Sequence, residues 1–290
     1  MAWSRGAPAV LGWPERRGAW GRSEPPCTEI RAGGLDRGPP GSPRSQSAVQ
    51  YEPMDGPTIA ERLAALDWHA LESSLWEWGY AKTPPLLSPG ECQDLIALYP
   101  DDARFRSRID MARFRFGVGD YKYFAHPLPP LVTALRRHAY PPLAAIANRW
   151  QQALKSRRRF PADLDGLIAM CRRAGQTRPT PLLLHYEAGG YNCLHQDLYG
   201  EVAFPLQATV FLSPRDAYEG GEFLLVEQRP RAQSRGEAIQ TEQGEVVVFA
   251  TRERPAAGAR GHHRVTMRHG VSRLRAGRRY TLGVIFHDAK

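Results

Sequence analysis

The sequence predicts a mainly β protein with an N-terminal α layer, built on a jelly-roll, cupin-like core, that is, a double-stranded β-helix. Three observations predict it. From residue 181 onward, eight short strand-like runs are separated by Gly189-Gly190, Gly220-Gly221, Gly244, Gly261 and Gly277. Between 57 and about 175 the apolar residues recur instead at helical spacing. The 290 residues, 42% of them hydrophobic, are ample to bury such a core.

In chain order, residues 1–53 hold 8 Gly and 8 Pro, with Trp3, Trp13 and Trp20 isolated. They read as a disordered or over-called segment ahead of Met54. Residues 54–177 form a mainly helical region containing a β-hairpin. Ile59, Leu63 and Leu66 begin one helix, and Leu71, Leu75 and Trp78 mark a second that ends at Gly79. Ser88-Pro89-Gly90-Glu91 is a capping box opening a helix through Leu98. Phe114 and Phe116 alternate with Arg113 and Arg115 before Tyr121–Phe124, which predicts a hairpin over 111–124; Phe114, Phe116 and Tyr121 are expected in the core, with stacking on bases as their functional alternative. Helices follow at 129–138, 141–156 and 161–174, the last stopped by Gly175. Residues 178–290 form the strand-rich domain, with runs at 182–187, 191–197, 205–212, 222–227, 237–241, 245–250, 265–270 and 279–287.

Composition excludes some classes. No run approaches 18 apolar residues, so no membrane-spanning helix and no membrane partner is expected. Cys27, Cys92, Cys171 and Cys193 are scattered without a CxxC pair, which points to reduced thiols and a cytoplasmic setting. The net charge of +9 rests on 35 Arg against 4 Lys, a bias that GC-rich coding produces, so nucleic acid is not the expected partner.

The chemistry begins at His195-Gln196-Asp197. Residues two apart on a strand share a face, so this imidazole and carboxylate can converge on one ion. His269, on the seventh run, is the third candidate, because the second and seventh strands of a jelly roll are neighbours. Two His and one carboxylate leave three octahedral positions open, the arrangement of non-haem Fe(II) oxygenases. Arg279, ten residues past His269, opens the eighth run, expected beside the seventh, where it can fork onto a carboxylate at a fixed distance from the metal. Arg278 faces the other way by parity.

With these residues in place, the sequence resembles the 2-oxoglutarate- and Fe(II)-dependent dioxygenases of the prolyl 4-hydroxylase-like branch. The motifs are Tyr186-Glu187-Ala188-Gly189 ahead of His195, Gly220-Gly221-Glu222-Phe223, Gly244 through Phe249, and the closing set His269, Gly277 and Arg279. The resemblance covers 178–290, and the fuller pattern from Trp68 to His287-Asp288 is similar to an uncharacterised bacterial group. It implies an oxidoreductase that holds Fe(II) on His195, Asp197 and His269 and binds 2-oxoglutarate at Arg279, helped by Tyr186 and Thr281. O2 would be the second co-substrate and ascorbate an accessory reductant. The implied reaction hydroxylates an unactivated C–H of a prolyl-type residue or free amino acid, releasing succinate and CO2, so the implied substrate is a peptide, protein or amino acid. Two other readings stay open: a nucleic-acid oxidative demethylase, and a cupin-like metal- or 2-oxoglutarate-binding sensor without turnover. Demethylases of that type carry a second Arg six residues after the first, where this chain has Ile285. A pure binding barrel does not need Arg279.

The remaining candidates read as structural. His262-His263 are expected in a loop, His185 and His287 in the strand framework, and Cys193 as a small buried side chain. The stretch 229–279 carries 12 Arg and 4 Glu and reads as a solvated face, with capture of an acidic substrate as its functional alternative.

Overall fold

The computed structural model describes residues 56–290. The expectation for 1–53, like Cys27, lies outside the described residues. Helix α1 (Ile59–Ala64) starts at a reciprocal Thr58/Glu61 capping box. Helix α2 (Trp68–Trp78) starts at Asp67 and ends on Gly79, whose φ of 80° is the left-handed cap a glycine adopts without strain. Strand β1 (Tyr80–Lys82) follows, then α3 (Pro89–Ala97) behind the full Ser88/Glu91 capping box. The Arg62 guanidinium, 2.6 Å from the Glu91 carboxylate, ties the first helix to the third.

The hairpin expected over 111–124 is displaced. Its arms are β2 (Phe105–Asp110) and β4 (Asp120–Phe124), with the two-residue β3 (Gly117–Val118) between them. The chain turns at Ala112–Phe114 in a short 3-10 turn, and Arg115 takes a left-handed φ of 60°. Strand alternation therefore breaks where Phe114 and Phe116 sit, and both rings are exposed rather than in the core.

The two helices expected at 129–138 and 141–156 are one, α4 (Pro130–Ala153), with Pro141 and Pro142 inside it. Prolines remove two helical hydrogen bonds. A continuous buried face from Leu135 through Tyr140 and Leu143 to Trp150 holds the helix together across them. Arg136 on this helix is buried. It donates to the carbonyls of Ile285 and Phe286 and to Asp288 at 2.6–3.1 Å, pinning the helix to the segment that follows the last strand. Helix α5 (Leu164–Arg173) completes the α layer.

The strands are β5 (Leu182–Glu187), β6 (Tyr191–His195), β7 (Leu206–Phe211), β8 (Tyr218–Gly220), β9 (Phe223–Gln228), β10 (Arg235–Ile239), β11 (Val246–Ala250), β12 (Glu253–Gly258), β13 (Gly261–Val271) and β14 (Leu274–Val284). They form two antiparallel sheets. The larger runs β1-β11-β7-β14-β5-β4-β2 with β8 beside β14, and the smaller runs β10-β9-β13-β6-β3 with β12 beside β13. This is the expected jelly roll with its α layer. The helices contribute Leu75, Tyr140, Leu143 and Trp150 to a core shared with Val248 and Leu282 of the larger sheet.

Two expectations are corrected. The eighth run does not lie beside the seventh, because β13 and β14 belong to opposite sheets and face each other across the barrel. His262 and His263 are not in a loop. They sit on β13, paired with Ala257 and Ala256 of β12, and both are exposed. Part of the arginine-rich stretch is internal. Arg254 is 1% exposed and grips Glu227, which also takes Arg229 at 2.6 Å. Among the described residues no helix is long and apolar enough to cross a membrane.

Candidate active site

A cavity of about 370 Å³ lies between the two sheets. On one wall, β6 delivers His195 at its last residue and Asp197 just beyond. On the neighbouring strand β13, His269 stands in register with His195. Gly270 lets the two strands come this close, since a Cβ there would stand 2.7 Å from the Asn192 carbonyl oxygen. The structure thus brings the three sequence-predicted side chains together. His269 Nε2 is 3.2 Å from Asp197 Oδ2 and His195 Nε2 is 3.6 Å from Asp197 Oδ1, and ligand atoms of all three lie within 4.8 Å of one another. Bonds of about 2.1 Å from one divalent ion span such a set.

The protonation states suit a cation. Burial opposes the charge on Asp197, but the hydrogen bond from His269 and the nearby imidazoles outweigh it and hold the carboxyl well below its ordinary range. Burial pushes His269 down, favouring its neutral, ligating form. His195 Nδ1 lies 2.8 Å from the Cys193 carbonyl, which can only accept, so in the neutral imidazole the proton belongs on Nδ1 and the lone pair on Nε2, toward the site.

Across the cavity, β14 lines the opposite wall with alternate residues Arg279, Thr281 and Gly283, and Ile285 just beyond its end. Arg279 is 1% exposed and packed near the rings of Phe211, Tyr186 and Tyr218, 5.3–5.9 Å from its guanidinium carbon. None of its three guanidinium nitrogens has a hydrogen-bond partner among the described residues. A buried cation without a counter-charge costs several kcal/mol, so this pocket fits an anion that enters and completes it. Gly221 makes room for the arm: its φ is 64°, and an added Cβ would stand 3.1 Å from Arg279 Cδ. Arg278, as parity predicts, points outward, 71% exposed at the side chain and 3.2 Å from Glu187. Tyr186 is fully buried, and its hydroxyl accepts from Asn192 Nδ2 at 3.4 Å. Thr281 is buried on the same wall.

The other candidates fall where their neighbours put them. His185 is structural, 3.1 Å from Asp120 and stacked on Tyr280. His287 is fully buried, and its Nδ1 accepts from the Phe204 N–H. Cys193 borders the cavity but is exposed, not buried as expected, because it lies on β6 at the open mouth.

Sequence reasoning missed Tyr199. Its hydroxyl donates to Asp197 Oδ1 at 2.7 Å and accepts from the Tyr123 hydroxyl at 3.0 Å. This chain of three groups fixes the carboxylate and leaves Oδ2 toward His269. The signal was the spacing His195-x-Asp197-x-Tyr199, although the strand ends at His195. A Tyr199→Phe variant keeps the ring and loses the hydroxyl. It is expected to bind Fe(II) about tenfold more weakly, measured by anaerobic titration, because groups that orient metal ligands typically carry that much. Unchanged affinity would show that the carboxylate needs no such support.

The profile of an oxygenase family described as catalysing oxidative methylation of damaged DNA matches residues 119–289. Uncharacterized proteins from two strains of Mycobacterium tuberculosis are 51% identical over 167 residues, 57% of this chain and 72% of each relative. Among solved structures, the chain is similar to a prolyl-4-hydroxylase from Pseudomonas putida, with 14% identity and a TM-score of 0.43 over 77% of this chain and 100% of that one. It is also similar to an oxidoreductase of the 2OG-Fe(II) oxygenase family from Burkholderia pseudomallei, with 15% identity and a TM-score of 0.45 over 78% and 93%.

Proposed function

Because the chain belongs to this family of oxygenases, we propose that it is an Fe(II)- and 2-oxoglutarate-dependent oxygenase that oxidises a C–H bond on a damaged base of nucleic acid. The observation that carries the co-substrate is Arg279, a buried guanidinium without a partner among the described residues, in the same cavity as the His195, Asp197 and His269 cluster. The nucleic-acid substrate is supported by the family's description.

His195, Asp197 and His269 would hold the iron from one side, leaving the positions facing the cavity free. Arg279 would take the distal carboxylate of 2-oxoglutarate with two parallel N–H donors, and Thr281, two residues along the same face, would add a hydroxyl. Tyr186, Phe211 and Tyr218 keep water from that ion pair and so strengthen it. Tyr199 orients Asp197. Ile285 stands where demethylases of the expected type carry a second Arg, and it gives the cavity wall an apolar side chain there. When bound, Fe(II), 2-oxoglutarate and O2 supply oxidation of a C–H bond with release of succinate and CO2. If the oxidised carbon is an N-methyl group, its hydroxylation product loses formaldehyde and frees the base.

The test is anaerobic loading with Fe(II) and 2-oxoglutarate, then O2, ascorbate and one candidate substrate at a time. The candidates are an N-methylated oligonucleotide, a proline-containing peptide and free amino acids. Succinate and formaldehyde in equal amounts with the methylated oligonucleotide are the expected result. Succinate coupled to hydroxyproline or to a hydroxylated amino acid would restore the prolyl-type substrate expected from the sequence. No succinate with any substrate, despite tight 2-oxoglutarate binding, would favour the sensor reading.

A further inference from the structure

Phe114 and Phe116 are 46% and 47% exposed, and their rings stack on each other with centroids 5.7 Å apart and planes within 21°. Two large apolar rings held in water are unusual in a segment this well tied down. The Met111 carbonyl accepts from the N–H groups of both Phe114 and Phe116, and the Phe116 carbonyl accepts from the Cys193 N–H at 2.8 Å. The ring pair is therefore fastened to the strand that carries His195. Arg115 and Phe116 line the mouth of the cavity that contains His195, Asp197 and His269. The surrounding rim is apolar and exposed at Val118, Tyr191, Leu194 and Leu198.

Charge accompanies the rings. The only charged side chains from Met111 to Gly119 are Arg113 and Arg115, and the Arg113 guanidinium lies 5.7 Å from the Phe114 ring centroid. Alternating arginine and exposed aromatic side chains match a strand that alternates phosphate and base. Depth argues for an unpaired strand. His269 is 7% exposed at the cavity wall, and a base still paired and stacked in a duplex cannot bring its edge there.

We propose that Phe114 and Phe116, flanked by Arg113 and Arg115, form a rim platform that stacks an unpaired base of single-stranded nucleic acid and feeds its neighbour into the cavity. This rests on the nucleic-acid reading above. A proline ring also docks on aromatic side chains. It has no use for the two flanking cations, which is why the peptide is the disfavoured occupant.

The test is fluorescence anisotropy of the full chain with a short labelled oligodeoxynucleotide, single-stranded and as a duplex of the same sequence, without O2. The single strand is expected to bind more tightly than the duplex. The double variants Phe114→Ala/Phe116→Ala and Phe114→Leu/Phe116→Leu should each weaken single-strand binding by about fivefold or more, and Phe114→Trp/Phe116→Trp should preserve it. The leucine variant keeps apolar volume without a π face, so it decides the matter if the alanine variant folds poorly by thermal melting. Arg113→Ala/Arg115→Ala should lower the salt dependence of binding. Wild-type single-strand binding that neither the alanine nor the leucine variant weakens overturns the platform and leaves the nucleic-acid reading standing. Failure of the wild type to bind either oligonucleotide, with a proline-containing peptide bound instead, overturns both.

Discussion

His269→Ala is expected to abolish turnover and to weaken Fe(II) binding by more than about 100-fold, since loss of a direct ligand should exceed the loss of a group that merely orients one. The structure adds a condition to the measurement. His269 is not a loose side chain at a barrel mouth. It is 7% exposed and lies against the Phe249 and Phe223 rings, with centroids 4.8 and 6.0 Å away. Alanine there leaves a void, and some loss of melting temperature belongs to packing rather than to metal. Asp197→Asn separates the two effects. It preserves volume and the hydrogen bond from Tyr199 but removes the charge that favours a cation. Both variants should bind Fe(II) far more weakly in an anaerobic titration; without metal, the alanine variant should lose stability through the void and the asparagine variant only through the charge and hydrogen bond that Asp197 shares with His269. Wild-type iron affinity in His269→Ala would remove the cluster from the mechanism.

The second large effect is on the co-substrate. A hydrogen bond to a charged group contributes about 1.5–3 kcal/mol, so Arg279→Ala should weaken 2-oxoglutarate binding roughly 10- to 150-fold. Arg279→Lys keeps charge without the fork and should fall between. Arg278→Ala should do little, because its exposed pair with Glu187 lies on the far face of the same strand. Stability gives an independent readout. Arg279 is a buried charge without a partner among the described residues, so Arg279→Met should leave the ligand-free chain as stable as wild type or more so. 2-Oxoglutarate should raise the melting temperature of the wild type and not of the variant. A variant still stabilised by 2-oxoglutarate would place the carboxylate elsewhere.

Much of this was legible in the sequence where side-chain alternation and glycine punctuation agree. The run at 182–187 is β5 residue for residue, and the parity of 279, 281 and 285 puts those side chains on the cavity wall. Legibility failed where a neighbour, rather than local preference, decides the conformation. Glu253–Gly258 contains Pro255, two alanines and a glycine, poor strand formers, yet it is β12 because the long β13 hydrogen-bonds to it. Pro141-Pro142 reads as a break, and packing on both sides overrides it. Phe114 and Phe116 have a strand's alternation, and the left-handed Arg115 between them cancels it. Tyr199 escaped notice because its contact to Asp197 is made beyond the end of the strand.

The rims of the larger sheet carry a consequence of their own. One rim is β1, three residues long and closed by the exposed Lys82, lying over β11, whose five residues are all buried. The other is β2, with Arg106, Arg108 and Asp110 along its length. A second molecule seeking to extend this sheet would have to pair its backbone with a stub or with a charged ribbon, and neither templates strand addition well. At high concentration, and among partly unfolded chains during synthesis, these short segments act as guards against fibril-like growth. Their placement in the N-terminal half means that a chain truncated to its strand-rich half would lose that protection together with the helices.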